Sequence, residues 1–200
     1  MEFTIKSSIL DRDRQLLVER DFIEFDNNDL ISATPTKFSK EEIIAFRYGI
    51  NWIRGYRFII GRIYTIDIRS SSDEIIKIRL KSLYGIRRKK LAEKYVQIIN
   101  SIYDYFFQAI SDHYVQQFNA GHEIQINGVT FCKEGIYLDN KNLLLDWLDV
   151  GTKTYRSYCA IYSQSNANYY KAFQYIKDWN TAVLYNVTRQ ILKTKGLDKG

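Results

Sequence analysis

The chain has 200 residues, a net charge of +6, and contents of 46% hydrophobic and 15% aromatic residues. This length suits one large domain or two small ones, and the composition, with a single proline, argues against a disordered or linker-dominated protein. No apolar run approaches the roughly 20 residues that a membrane-spanning helix needs, and the N-terminus lacks the pattern of a secretory signal. We therefore expect a cytoplasmic protein.

Short strands separated by turns are predicted over much of the first half. Residues 22–25 and 43–50 each have the apolar and aromatic content of a strand. From 64 to 68, and again from 76 to 80, apolar and polar or charged side chains alternate strictly. This period of two predicts antiparallel strands that are covered on one face only and are joined by a polar turn at 70–73.

A long amphipathic helix is predicted at about 88–118. Apolar side chains recur there at intervals of three and four and form one stripe, which consists of Leu91, Tyr95, Ile98, Ile99, Ile102, Phe106, Ala109 and Ile110. Gly121 follows, and glycine is a common residue just after a helix C-terminus. Such a stripe needs an apolar sheet face to cover, and the preceding strands supply one.

The second half predicts further short strands and a second helix. The strands are expected at 123–126, 129–132, 136–138, 143–147, 156–162 and 169–175. The helix is expected at about 179–194, with apolar residues at intervals of four and Asp178 as its N-cap.

The two halves match in order and spacing, which predicts a tandem duplication. The matched segments are 22–25 with 129–132, 42–50 with 142–150, 64–68 with 158–162, and 75–80 with 169–175. Identity between the halves is low, so a chance match of generic strand and turn patterns is the alternative. On this interpretation the first unit is 1–121, which ends in the long helix, and the second is 122–200.

Three fragments of the second half carry a resemblance to a known family. They are Gly128-Val-Thr-Phe131, Gly135-Ile-Tyr-Leu138 and Leu145-Asp-Trp-Leu-Asp-Val150. They are similar to fragments of bacterial pleckstrin-homology-like (PH-like) domain proteins of uncharacterised function. The resemblance covers most of the second unit and, more loosely, residues 16–110.

This resemblance implies an α+β protein of two PH-like units, each a bent antiparallel β-sheet closed by a C-terminal amphipathic α-helix. A helix-grip or other α+β fold is the alternative. The family includes lipid binders, peptide binders and scaffolds, so the resemblance leaves the ligand open.

Positive charge is concentrated between residues 41 and 90, where twelve basic and five acidic side chains give a net +7, while the rest of the chain has −1. Arginines alternate with aromatic residues in the first part of this segment, and four successive cations begin the long helix. A cation there is disfavoured by the helix dipole, which slightly favours a functional role. The candidate ligand-binding residues are Arg54, Arg57, Arg62, Arg87, Arg88, Lys89 and Lys90.

Three interpretations of this basic segment remain open. It is a solvated face, a site for an anionic lipid head group or an acidic peptide, or a nucleic-acid site that uses 47–62 and 87–90. Clustered cations attract phosphates and acidic partners, and arginine interleaved with aromatics also suits single-stranded bases. The modest net charge and the neutral second half argue against nucleic acid.

No motif for catalysis, nucleotide binding or metal binding is recognised. Gly49, Gly55 and Gly61 have a spacing of six that matches no phosphate-binding loop, and the two cysteines and two histidines lack metal-ligand spacing. We therefore expect no cofactor and no metal. The sequence favours a non-enzymatic binding or scaffolding module whose partner is a protein or an anionic lipid surface. An enzyme with a site that cannot be recognised from sequence is the alternative.

Overall fold

The structure, a computed structural model, describes residues 1–6, 12–27, 34–138 and 143–198. The chain divides into two compact units, Met1–Gln108 (unit 1) and Ala109–Gly200 (unit 2). The fold is α+β, as predicted, and all strand pairs that the structure describes are antiparallel. Within the described ranges, no helix has both the length and the apolar content to cross a membrane.

Unit 1 consists of two antiparallel sheets followed by a helix. The first sheet contains β1 (Glu2–Ile5), β2 (Arg14–Val18), β3 (Phe22–Phe25) and β4 (Thr36–Ser39), paired in chain order. The second sheet contains β5 (Ile43–Arg54), β6 (Ile59–Ser70) and β7 (Ile75–Leu83), also in chain order. The helix that follows is α1 (Arg88–Ile102).

The core of unit 1 lies between the apolar faces of its sheets and one face of α1. Ile66 and Ile78, which are opposite each other on β6 and β7, are fully or almost fully buried, and so is Ile98 of α1. Tyr95 packs on Tyr64 with ring centroids 5.1 Å apart. Each such side chain contributes roughly 1.5–3 kcal/mol when it is buried, which holds α1 on its sheet.

The prediction that these strands are covered on one face only is wrong for β6. Thr65 and Asp67, on the polar face of this strand, are also buried. The Asp67 carboxylate lies 3.0 Å from Arg47 Nε and 2.5 Å from Arg79 Nη2. A carboxylate can be buried at this position because two arginines offset the loss of its hydration.

The helix predicted at 88–118 is confirmed in extent but not in regularity. After α1 the chain forms a π-helical turn, Tyr103–Phe107, and then α2 (Gln108–Asn119). The wider turn allows the adjacent Phe106 and Phe107 both to be buried, and it changes the phase of the apolar stripe. Ala109, predicted to lie in that stripe, is exposed for this reason.

Unit 2 contains the end of this helical region, two more sheets and the last helix. The first sheet contains β8 (Ile124–Ile126), β9 (Val129–Phe131), β10 (Gly135–Tyr137) and β11 (Leu144–Asp146). A 3-10 turn, Trp147–Asp149, leads into the second sheet, which contains β12 (Val150–Thr154), β13 (Tyr158–Ser163) and β14 (Tyr170–Gln174). The chain then forms α3 (Thr181–Thr194).

The core of unit 2 is organised around Trp147 and α3. The indole N–H of Trp147 donates to the backbone carbonyls of Cys132 and Lys133, both at 3.1 Å, and its ring centroid lies 5.6 Å from that of Phe118. A buried indole needs such an acceptor, because an unpaired N–H would lose its hydration without compensation.

The same order of elements occurs in both units: a four-stranded sheet, a three-stranded sheet and a helix. In this order β4 corresponds to β11 and β5 corresponds to β12. The predicted match of 42–50 with 142–150 is therefore wrong, because 142–150 covers β11 and the 3-10 turn. The match of 22–25 with 129–132 is also wrong, since it pairs β3 with β9, the second strand of its sheet.

In unit 1, the turn between β6 and β7 is tied to the residue that precedes β5. Ser70 Oγ lies 2.8 Å from Ser72 Oγ. The backbone N–H of Ser71 donates to the carbonyl of Glu42 at 2.8 Å, and Ile43 lies opposite Ser70 in the sheet. These contacts hold three consecutive serine residues against the start of β5.

In unit 2, the turn between β13 and β14 makes the same contacts. Ser163 Oγ lies 3.2 Å from Ser165 Oγ. The backbone N–H of Gln164 donates to the carbonyl of Asp149 at 2.8 Å, and Val150 lies opposite Ser163 in the sheet. These three contacts are therefore common to the two turns.

The helices α1 and α3 also begin in the same way. The N-cap residues Arg87 and Asn180 both have left-handed backbone conformation, with φ of 55°, and neither side chain caps its helix. The predicted N-cap, Asp178, is wrong for this reason. Its carboxylate instead accepts from the backbone N–H of Gln174 at 2.7 Å, before the helix starts.

Candidate binding site

A cavity of about 570 Å³ lies in unit 1 among β1, β7 and the first turns of α1. Its apolar wall is formed by Leu80, Leu83, Ile86 and Leu91. Sites for small molecules in proteins typically have volumes of roughly 300–1,000 Å³ and mostly apolar walls. We refer to this feature as the unit 1 cavity.

Cations dominate the polar lining of the unit 1 cavity. Among the described residues, the charged members of the lining are Lys6, Lys81, Arg87, Lys90, Lys94 and Asp13, which together carry a net charge of +4. Lys6 Nζ lies 3.9 Å from Asp13 Oδ1, which is a loose ion pair. Among the described residues, Lys81, Arg87 and Lys90 have no carboxylate within ion-pair distance.

Helical periodicity explains how α1 contributes to this lining. Arg87, Lys90 and Lys94 lie at positions i, i+3 and i+7, which share one face of a helix. Arg88 and Lys89, from the same turn, are exposed and do not line the cavity. The structure therefore brings two of the four cations of the predicted run to the cavity and places the other two outside it.

Lys94, like Lys6, is half-buried, whereas Lys81, Arg87 and Lys90 are exposed. Burial lowers the pKa of the Lys94 ammonium group below the usual lysine value, and the nearby Lys90 lowers it further, while Asp13 acts in the opposite direction. Its Nζ donates to the backbone carbonyl of Thr4. A half-buried ammonium group beside a second one is electrostatically unfavourable, and a bound anion would relieve that repulsion.

The other predicted site residues lie at the far end of the β5–β6 hairpin, residues 52–62, which we call the hairpin tip. The Arg62 guanidinium lies over the ring of Trp52, with its central carbon 4.5 Å from the centroid. Arg57 lies over Tyr56 at 5.4 Å. Arg54 is exposed at the last position of β5.

The hairpin tip and part of the cavity lining, Leu83, Ile86 and Arg87, lie at the same end of the three-stranded sheet. The last residue of β7, Leu83, lies opposite Gly61, and the next backbone N–H, of Tyr84, donates to the carbonyl of Ile60 at 2.8 Å. Gly61 is required here, since a Cβ would lie 2.5 Å from the carbonyl oxygen of Ser82. The turn that leads from β7 to Arg87 therefore begins beside the hairpin tip.

Sequence reasoning missed Lys6, Lys81 and Lys94. Lys6 and Lys81 belong to segments far apart in the chain, and only the fold brings them together. Lys94 could have been found, because it continues the helical face that begins at Arg87.

Unit 2 has a smaller cavity, of about 410 Å³, with a different lining. Its charged residues are Lys171, Lys177 and Asp178, a net charge of +1. Lys171 Nζ already donates to the carbonyl of Leu138 at 3.0 Å. This cavity therefore lacks the concentrated cationic charge of the unit 1 cavity.

Within the described part of the chain, no group of three or more His, Cys, Asp or Glu side chains could hold a metal ion. Burial raises the pKa of the Cys159 thiol to about 12, so the thiol stays protonated at neutral pH. Comparison of the chain with family models, with curated proteins and with solved structures gave no match. The unit 1 cavity is therefore the basis for a functional proposal.

Proposed function

We propose that the protein is a non-enzymatic binding module whose first unit takes an anionic amphiphile, a molecule with an acidic head group and an apolar chain. The observation that carries this proposal is the lining of the unit 1 cavity. Its apolar wall suits an alkyl chain, because burial of apolar surface contributes about 25 cal/mol per Å². Its cations suit a phosphate or carboxylate head group.

The electrostatics of the lining support the same ligand class. Lys90 and Lys94 repel each other, and among the described lining residues one carboxylate, that of Asp13, stands against five cations. An anionic head group would replace the lost hydration of Lys94 with a direct ionic contact. A neutral ligand would leave the repulsion in place.

Two contacts argue against the nucleic-acid alternative. Arg47, the first cation of the segment 47–62, is engaged with the buried Asp67. One face of the Trp52 ring is covered by Arg62. A base stacked on that face would have to displace the guanidinium, so oligonucleotides serve here as a contrasting probe.

We also propose that both units are PH-like and arose by tandem duplication. The repeated order of strands and the two equivalent turns support this proposal. Ser70 and Ser163 are 93 residues apart, and so are the helix N-caps Arg87 and Asn180. Backbone NOEs provide the test. Duplication predicts that Ile43 lies opposite Ser70 in unit 1 and that Val150 lies opposite Ser163 in unit 2. A shifted register in either sheet would contradict the duplication.

Calorimetric titration of the full chain tests the ligand class. The probes are monomeric dodecyl phosphate and laurate, with monolaurin as the neutral-headed control and inorganic phosphate as the head group without a chain. We expect the two acidic amphiphiles to bind at least about tenfold more tightly than either control, because only they use both parts of the lining. Preferential binding of an acidic peptide or an oligonucleotide would contradict the proposal.

A pair of matched variants locates the site. Lys90→Gln with Lys94→Gln removes two lining cations, and Arg88→Gln with Lys89→Gln removes two cations from the same helix outside the lining. A hydrogen bond to a charged group contributes about 1.5–3 kcal/mol, so the first pair should weaken dodecyl phosphate binding at least about tenfold. The second pair should leave it nearly unchanged. Equal losses would indicate a diffuse charge effect rather than this cavity.

A further inference from the structure

The hairpin tip is an exposed mixture of aromatic and basic side chains. Tyr56 is 93% exposed and Phe58 is 66% exposed, and Trp52 and Ile59 are exposed beside them. Few large apolar side chains are left so open to water when nothing covers them. The chain contains no acidic residue after Glu42 until Asp67, so the tip carries positive charge without a local counter-charge.

The tip extends beyond the rest of its sheet. β7 ends at Leu83, opposite Gly61, so the residues from Arg54 to Ile59 pair only with each other. The turn is closed by the backbone N–H of Gly55, which donates to the carbonyl of Phe58 at 2.8 Å. The most exposed aromatic residues therefore lie at the apex of a narrow, two-stranded projection.

We propose that the hairpin tip docks unit 1 onto a lipid bilayer that carries anionic head groups. Aromatic side chains are favoured at the boundary between hydrocarbon and water, where their rings are buried and their polar atoms stay hydrated. Arginines beside them meet the negative surface potential of anionic lipids. The tip has both components, with Tyr56 and Phe58 at its apex and Arg54 and Arg57 around them.

A bilayer fits the shape of the tip better than a protein partner does. A stable protein interface buries about 800 Å² on each side, which requires a broad or concave surface. A two-stranded apex with four consecutive exposed residues, 56–59, offers a small convex surface instead. Such a projection can enter the head-group region of a bilayer, where lipids rearrange around it.

Docking in this way also identifies the source of the ligand, and this second step rests on the proposed function of the unit 1 cavity. The turn after β7 begins beside the tip and carries two exposed apolar residues, Tyr84 and Ile86. Ile86 and the next residue, Arg87, line the cavity. A bilayer that meets the tip therefore lies near these lining residues, and the anionic amphiphile is a lipid of that bilayer.

Vesicle sedimentation with the full chain tests the docking. Vesicles of phosphatidylcholine and phosphatidylserine should bind the protein, and vesicles of phosphatidylcholine alone should bind it much more weakly. Arg54→Gln with Arg57→Gln should lower the partition coefficient on the mixed vesicles about tenfold or more, because each cation near such a surface contributes several-fold. Added salt should lower the partition coefficient of the wild-type protein in the same direction.

Matched variants separate insertion from general loss of surface residues. Tyr56→Ser with Phe58→Ser should reduce partitioning at least about tenfold, whereas Tyr169→Ser with Tyr170→Ser, which alters two exposed tyrosines of unit 2, should not. Circular dichroism confirms that each variant is folded. Unchanged partitioning of the tip variants would overturn the docking, and so would binding of wild-type protein to an acidic peptide or oligonucleotide but not to vesicles.

The two proposals fail in different ways. Tip variants should keep the wild-type affinity for monomeric dodecyl phosphate, since Tyr56 and Phe58 do not line the cavity. Lys90→Gln with Lys94→Gln should lose that affinity. If tip variants lose vesicle binding while wild-type protein binds no monomeric amphiphile, the docking stands and the cavity is not the lipid site.

Discussion

Helices α1 and α3 begin in the same backbone conformation, yet they present opposite chemistry at the same positions. The third and seventh residues after the N-cap are Lys90 and Lys94 in α1, where they line a cavity. In α3 these positions are Val183 and Val187, which are completely buried. One helix closes its sheet with apolar contacts, and the other leaves an open, cationic space.

This difference separates the structural role of the helix from a binding role. Each valine of α3 contributes roughly 1.5 kcal/mol or more by leaving water, and α1 forgoes that contribution at both positions. Lys90 and Lys94 can occupy them only because the cavity keeps their ammonium groups near solvent. Unit 2 therefore shows how the helix packs when apolar side chains occupy these two positions.

The sheets beneath the two helices differ in a related way. On β6, the buried Asp67 holds two arginines. On β13, the corresponding residue, 93 positions later, is Ala160, which lies opposite Ala172 of β14. Unit 1 therefore depends on a buried ionic cluster where unit 2 has two small apolar side chains.

The largest effect should come from giving unit 2 the side chain of unit 1. Val187→Lys places an ammonium group at a fully buried position of α3. We expect a loss of unfolding free energy on the order of 4–5 kcal/mol, because an unpaired buried charge is among the most costly substitutions. Urea unfolding followed by circular dichroism measures it.

The reverse substitution is the control for that experiment. Lys94→Val gives α1 the residue found in α3, and it removes a half-buried charge together with its hydrogen bond to Thr4. The two effects oppose each other, so the unfolding free energy should change by less than about 1 kcal/mol. Similar losses of unfolding free energy in Val187→Lys and Lys94→Val would contradict the difference between the two helices, a buried apolar position in α3 and a cavity-lining position in α1.

A smaller loss is expected when the ionic cluster of unit 1 is disrupted. Asp67→Asn keeps the size of the side chain but removes the carboxylate charge that Arg47 and Arg79 contact. We expect a loss of about 3 kcal/mol in urea unfolding, which is typical when one partner of a buried ion pair is removed. Asp13→Asn, which removes the loose and largely exposed pair with Lys6 and a weaker attraction for Lys94, should cost less than about 1 kcal/mol. If Asp67→Asn costs no more than Asp13→Asn, the ionic cluster has no structural role.

The sequence predicted the elements with clear periodicity and missed those without it. Alternation located β6 and β7, and spacings of three and four located α1 and α3. β12 was missed because Val150-Gly-Thr-Lys-Thr154 has little apolar content and forms a strand only through its pairing with β13. The π-helical turn was missed because it changes the helical period over one turn only. In the sequence, two adjacent phenylalanines in one turn also fit the apolar stripe of an ordinary α-helix.

The candidate site was predictable only where charged residues that are close in space are also close in the sequence. The run of cations at the start of α1 contains Arg87 and Lys90, which line the cavity. Lys6 of the first sheet and Lys81 of β7 could not be assigned, because their positions depend on how two sheets meet. The apolar wall could not be predicted either, because its residues have the same sequence pattern as residues of the core.

The smallest effect should appear at the turns that the two units share. Hydrogen bonds from the hydroxyl of Ser163 and the backbone N–H of Ser165 hold the pKa of the Asp149 carboxyl below its usual value, although burial acts in the opposite direction. In unit 1, the pKa of Glu42 is lowered by the backbone N–H of Ser39. The carboxylate of Asp149 holds its turn directly, whereas Glu42 contacts its turn through the backbone carbonyl.

This contrast gives a pH-dependent test. A lowered folded-state pKa adds stability that is present above the unfolded value of 3.8 and is lost as pH falls through the folded value. Asp149→Asn removes that contribution, so thermal melting followed from about pH 6 to about pH 2.5 should show a lower melting temperature at neutral pH and a shallower decline in acid. Glu42→Gln should shift the curve less, since the Glu42 carboxylate accepts from Ser39, before β5, and not from the turn between β6 and β7. An acid decline in Asp149→Asn as steep as in the wild-type protein would show that this carboxylate does not hold the turn.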